Sequence, residues 1–184
     1  MGHEVAITPL RLAVAFNVLA NDGVMVAPRL ARAVVDDHFR VIGDPAAPER
    51  ERVVSPDTAQ AMLRDVLARV VEEGTGTRAR LDRWRLAGKT GTAQKVLDDG
   101  TYSHSLYVSS FVCIAPVEAP LVTILVMFDG PTKGQSFYGG VVAAPVAARI
   151  ASRVLEYLDV ASSAELADLE RRGADVRTWR AGVF

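Results

Sequence analysis

"LAGKTGTAQK", residues 86–95, is the stretch on which the reading of this chain turns. Gly88-Lys89-Thr90 is how a phosphate-binding P-loop ends, and Lys89-Thr90-Gly91-Thr92 is equally a strand that can wall an acyl-transfer site. The two readings make different demands on the flanking residues. A P-loop places a glycine five residues ahead of its Gly-Lys-Thr and runs on into a helix whose N-terminus meets the phosphates. Here Arg83 holds that place, Trp84 follows, and "AQKVLDDGTY" leads into a hairpin turn at Asp99-Gly100. Both demands fail, and the nucleotide reading is set aside.

As a strand, the same residues suit an acyl substrate. Gly91 has no side chain, so a peptide or a lactam can approach the backbone and pair as an added strand. The hydroxyls of Thr90 and Thr92 can bind a carboxylate, and Lys89 supplies a compact positive charge. A backbone N–H just past Gly91 can face a developing oxyanion. Lys89 stands out further because Lys95 and Lys133 are the only other lysines, the rest of the positive charge being arginine.

Composition bounds the alternatives. The 184 residues fit one domain, possibly with a tail, and are enough to bury a substantial core. Hydrophobic residues make up 49% and charged residues 23%, with a formal net charge of −1, so nothing drives the chain toward nucleic acid or an anionic membrane. Cys113 is the only cysteine, which excludes an internal disulfide and a cysteine metal cluster; within "SSFVCIAP" it is expected to be a buried, inert strand residue. His3, His38 and His104 show no ligand spacing, and neither metal nor cofactor is expected. No uncharged apolar run reaches the ~18 residues of a membrane span, and residues 1–20 lack a basic start with a cleavage site. As written, the chain is expected to be neither exported by its own signal nor anchored.

Local signals predict an α/β, or α+β, organisation. Thr8 caps and Pro9 opens a first helix through "LRLAVAFNVLANDG", apolar enough to be buried on more than one side, stopped at Asn21-Asp22-Gly23. "VMVAPRLARAVV" reads as extended, with Pro28 at an edge or bulge, and "GDPAAPERER", residues 43–52, as a surface loop. Ser55 and Pro56 start the clearest helix, whose core stripe is Met62, Leu63, Val66, Leu67 and Val70, and Gly74 closes it. Gly74-Thr75-Gly76-Thr77 can contact a ligand but reads chiefly as a helix stop leading to a strand. Three strands follow around the Asp99-Gly100 hairpin, the last, Leu121 to Phe128, apolar enough to be covered on both faces. Asp98, Asp99 and Asp129 read as turn residues. A helix from "APVAARIASRVLEYL" places Val146, Ile150, Val154 and Leu158 on one face, and Ser162 to Glu165 make a capping box for a short helix ended by Gly173.

At these residues the chain resembles a class B penicillin-binding protein, the D,D-transpeptidase that cross-links peptidoglycan in cell division or elongation. The resemblance runs over roughly residues 2–159 and rests on "GHEVAITPLRLAVAFNVLANDG", "EEGTGTRAR", "LAGKTGTAQK", "YVSSFVCIAP" and "FYGGVVAAPVAARI", all in the family's order. Lys-Thr-Gly alone is weak; five ordered segments are specific. The resemblance implies that Lys89, Thr90, Gly91 and Thr92 form the third transpeptidase motif, with the Thr92 N–H as an oxyanion donor. Tyr138, Gly139 and Gly140 read either as lining the cleft beside the last strand or as a simple turn before the final helix. It implies that residues 84–94, 105–115 and 120–129 are the last three strands of a five-stranded antiparallel sheet, with helix 143–158 packed on it. The implied ligands are peptidoglycan stem peptides and β-lactams, without a cofactor. The family is held in the cytoplasmic membrane by an N-terminal anchor, with the domain on its outer face.

The departure is equally informative. The family's nucleophile is the serine of Ser-x-x-Lys, and its second motif is Ser-x-Asn. Three residues before Lys89, Lys95 and Lys133 stand Leu86, Thr92 and Gly130, and two before Asn17 and Asn21 stand Ala15 and Leu19. Neither motif is present. The expectation is therefore the C-terminal portion of a transpeptidase domain over residues 1–160 with a helical tail over 161–184, inactive alone and completed by an upstream half. The alternatives are a non-catalytic module binding stem peptides or β-lactams, or a gene fragment without function. An unpaired last strand would make the isolated chain oligomeric or poorly soluble.

Overall fold

The hairpin at Asp99-Gly100 is the spine of the molecule. In the computed structural model, which describes residues 6–43, 47–132 and 136–176, β5 (Ala87–Val96) pairs antiparallel with β6 (Tyr102–Ala115). β6 pairs antiparallel with β7 (Val122–Asp129). Gly100 takes φ +81°, as the tight turn needs, and donates to the Leu97 carbonyl at 2.9 Å. The order β5-β6-β7 leaves an outer edge on both β5 and β7 that no other described strand pairs.

Four short strands precede the sheet. β1 (Val24–Val26) pairs with β4 (Arg50–Arg52), and β2 (Val34–Val35) with β3 (Val41–Gly43). The loop expected over 43–52 is corrected accordingly, since its last residues are a strand; residues 44–46 lie outside the described residues. The pairing is set at a distance, where the Gly23 carbonyl takes the Val53 N–H at 2.9 Å, and three charged side chains gave it no local signal.

The helices begin where their caps say. Thr8 Oγ1 accepts the Arg11 N–H at 3.3 Å ahead of α1 (Pro9–Ala20), and Ser55 Oγ accepts the Thr58 N–H at 3.2 Å ahead of α2 (Pro56–Ala61). α2 runs through a π-helical stretch (Met62–Leu67) into α3 (Ala68–Glu72). The expected stripe keeps together but only part of it is covered, Met62, Val66 and Val70 facing a shared apolar cavity. Leu63 and Leu67 are buried with Ala20, Ala87, Ile114 and Val117, whereas Met62 is 38% and Val66 47% exposed. α1 is not buried on several sides either, since only Val18 and Ala20 are.

The opposite face of the sheet is closed by α4 (Gly139–Val142) and α5 (Ala144–Tyr157). The face α5 buries is Ala144, Ala147, Ala148, Ala151 and Leu155, not the expected Val146, Ile150 and Val154. Small residues let the helix lie close to Phe111, Cys113 and Ala115, and Leu158 packs only at the margin of that core. β7 meets a helix on each face, as expected, though not completely: Val122, Ile124, Val126 and Phe128 pack toward α5, and on the other side Thr123 and Leu125 are partly buried while Met127 is exposed. α1 touches its other face through Thr123 Oγ1 and Asn17 Oδ1, 2.9 Å apart. α6 (Ser163–Arg171) starts with the expected capping box and rests through Leu166 on Ala119.

Candidate active site

Register decides which backbone groups of β5 reach its open edge. The Gly130 N–H donates to the Tyr107 carbonyl at 2.9 Å, so odd-numbered residues of β6 turn their backbone groups to β7. Even-numbered residues then turn to β5, where Ser110 lies opposite Gly91 and Val112 opposite Lys89. This leaves the N–H and C=O groups of Thr90 and Thr92 on the open edge. Lys89 agrees with that geometry, its Nζ donating to the Thr90 carbonyl at 2.8 Å.

Side chains alternate between the two faces. Lys89 lies on the α1 face, at an apolar cavity of about 640 Å³ lined also by Phe16, Leu19, Met25, Met62, Val66 and Val70. Thr90 and Thr92 lie on the α4 face. The hydroxyls of Thr90 and Thr75 are hydrogen-bonded at 2.8 Å, and Thr92 Oγ1 accepts the Gly139 N–H at 3.1 Å. Thr92 therefore keeps its own hydroxyl hydrogen to donate.

The close seating of α4 on the strand explains its glycine. A Cβ on Gly139 would overlap the carbonyl oxygens of Ser110 and Gly91, so no other residue fits without a shift. Just before it, Ser109 Oγ donates to the Phe137 carbonyl, and the Phe137 ring stacks on Tyr107 at 3.9 Å and 5°. Tyr138 follows at 58% exposure, its ring 4.7 Å from that of Phe137. The structure thus brings Gly139 onto Gly91 and Thr92 of the Lys89–Thr92 stretch, with Tyr138 the residue just before it. It adds Thr75, from the segment read chiefly as a helix stop; its signal was the pair of flanking glycines.

The other singled-out groups lie apart from this cluster. Burial pushes the Cys113 thiol up to about 12, in keeping with an inert core residue. Asp99 is held below the usual carboxylate range by hydrogen bonds from the Thr101 hydroxyl and N–H, as a turn residue. Asp129 pairs with Lys95 at 2.7 Å. No helix among the described residues is long and apolar enough to cross a membrane.

An edge strand bearing Lys-Thr-Gly-Thr, capped by a Gly-Gly helix start, defines a class, and comparison with known proteins agrees with it. Residues 1–152 match the penicillin binding protein transpeptidase domain family, and the chain belongs to that family. It is 35% identical over 160 residues to stage V sporulation protein D of Bacillus subtilis, covering 86% of this chain and 24% of that protein. Against penicillin-binding protein PbpB of Mycolicibacterium smegmatis the identity is 36% over 163 residues, with 85% and 25% covered. The crystal structure of penicillin-binding protein 3 from Mycobacterium tuberculosis complexed with aztreonam is similar at a TM-score of 0.76 and 32% identity, covering 88% of this chain and 38% of that one. The transpeptidase domain of Burkholderia pseudomallei penicillin-binding protein 3 gives 0.72 at 32% identity, with 88% and 46% covered. The chain spans about a quarter of the length of the first two relatives.

Proposed function

We propose that this chain supplies the strand wall of a D,D-transpeptidase site that binds peptidoglycan stem peptides and β-lactams, with the serine nucleophile and its lysine base coming from outside these 184 residues. The observation that carries the reading is the open edge of β5. It presents the backbone of Thr90 and Thr92 beside the Lys89 ammonium and the free hydroxyl hydrogen of Thr92. An extended acyl peptide adds to that edge as a further strand. The Thr92 N–H then faces the acyl oxygen as it becomes an oxyanion, while Lys89 and the Thr92 hydroxyl hold the substrate carboxylate.

In the transfer, the serine oxygen bonds to the carbonyl carbon and its proton passes to the base. The bond to the leaving amine breaks, and that amine takes the proton. An incoming amine reverses the sequence; with a β-lactam, the ring amide opens and the acyl group stays on the serine. Further support comes from solved structures of the similar Mycobacterium tuberculosis protein complexed with aztreonam and with ampicillin.

Intact mass after incubation with benzylpenicillin tests the reading. The 184-residue chain alone is expected to stay unlabelled. Mixed with a polypeptide carrying Ser-x-x-Lys and Ser-x-Asn, it is expected to support an adduct on that polypeptide, slowed roughly 10- to 100-fold by Lys89→Ala through loss of a charge-assisted contact to the carboxylate. A stable adduct on the 184-residue chain itself, of one penicillin mass, would overturn the assignment.

A further inference from the structure

The residues leading into β5 are held by a segment that lies beyond residue 152, where the family match ends. The Arg85 N–H donates to Ser163 Oγ at 2.8 Å, and the Ser163 N–H donates to the Arg83 carbonyl at 3.0 Å. Between them, the Trp84 indole N–H donates to the Ala161 carbonyl at 3.0 Å. The Arg85 carbonyl takes the Val117 N–H at 3.0 Å, so the backbone of Arg85 is turned toward the β6 side. β6 ends at Ala115, and the Ser163 hydroxyl fills the acceptor place beside Arg85 that the strand no longer offers.

That hydroxyl has a second task. It donates to Glu118 Oε2 at 2.6 Å, a carboxylate 5% exposed, while Glu118 Oε1 meets the Arg85 guanidinium at 3.2 Å. One hydroxyl both accepts from a backbone N–H and donates to a buried carboxylate, which an alanine methyl cannot do. The segment is itself well seated: Val160 is buried in the main core, Leu166 and Val176 pack on Ala119, and Arg64 pairs with Glu170 at 2.9 Å.

The consequence for the motif follows from strand alternation. With Arg85 facing β6, Ala87, Lys89 and Gly91 face it too, and Thr90 and Thr92 turn to the open edge. A strand anchored at its root keeps this phase and direction over the few residues to the motif. We propose that Ser163, together with Glu118, is a positioning residue for the Lys89–Thr92 strand, with residues 160–163 acting as a splint on the root of β5. Calling this positioning for acyl transfer rests on the reading above; the splint itself does not.

Amide hydrogen exchange on the full chain tests it. In Ser163→Ala the Lys89 and Gly91 amides, which face β6, are expected to exchange about tenfold faster. The Ile124 and Val126 amides of β7 and the Ala151 and Leu155 amides of α5 are expected to keep their wild-type rates. Ser163→Thr, which retains the hydroxyl, is expected to restore the two β5 amides. Glu118→Gln keeps an acceptor for Ser163 but loses the charge facing Arg85, and about a threefold acceleration confined to the same two amides is expected. Unchanged rates at Lys89 and Gly91, or an equal acceleration throughout the sheet and α5, would overturn the proposal. The same variants in the penicillin mixture should show slower acylation in Ser163→Ala and recovery in Ser163→Thr. If even the wild-type mixture is not acylated, the functional reading fails, and the exchange rates still decide the splint.

Discussion

The two faces of the β5-β6-β7 sheet carry comparable apolar residues and end in opposite conditions. On the α5 face, Phe111, Cys113 and Ala115 are closed over by an alanine-lined helix with no room to spare. On the α1 face, Leu63 and Leu67 are buried, but Met62 and Val66 on the preceding positions stand open to a cavity of about 640 Å³ that ends on Lys89. An apolar stripe states what a helix is ready to bury; what covers it is a separate fact. Here the uncovered side is the one onto which the motif lysine projects.

The largest effect should come from the closed face. Phe111 is 0% exposed, and its ring fills the space over Gly76 and Gly88. Phe111→Ala is expected to cost about 3–5 kcal/mol in urea unfolding. A loss below about 1 kcal/mol would mean that this face is not packed in solution.

Cys113 sharpens the contrast through pH. Its folded thiol is raised from 9.0 to about 12 by burial, so the stability it lends is fully present below pH 9.0 and is lost as pH rises toward about 12. Across that window the unfolded chain ionises first, and stability should fall by about 1.4 kcal/mol per pH unit from this group. In Cys113→Ala that part of the slope should vanish; an identical slope in both proteins would show that water reaches the thiol.

The smallest effect belongs to the open face. Val66 is 47% exposed despite its place in the helical stripe, and Val66→Ala is expected to change stability by under about 0.5 kcal/mol. A loss near 2 kcal/mol in the same urea series would mean that another surface covers this side and would erase the distinction.

What could be read along the chain is what is made within a few residues. The caps at Thr8 and Ser55, the prolines that follow them, the Ser162–Glu165 box and the Asp99-Gly100 turn all fell where expected, because each bond closes over three or four positions. The strand through Lys89–Thr92 and the meander around it were legible too, because the turn and the short connection fix which strands become neighbours. The β1–β4 pairing, the π-helical stretch and the alanine face of α5 were not. Each depends on a partner far along the chain, or on a small residue whose value lies in the approach it permits and not in its own hydrophobicity.

By itself, then, the amino-acid sequence determined the family, the helix starts, the hairpin and the identity of the motif strand, since local hydrogen bonding and residue order suffice for those. Only the tertiary structure decided that Thr90 and Thr92 turn their backbone to an open edge, that Thr75 and Gly139 close on them from separate segments, and that Ser163 ties down the strand's root. Those outcomes are set by register and by long-range contact, where one residue of slip exchanges the two faces of a strand, and no spacing along the chain records which face wins.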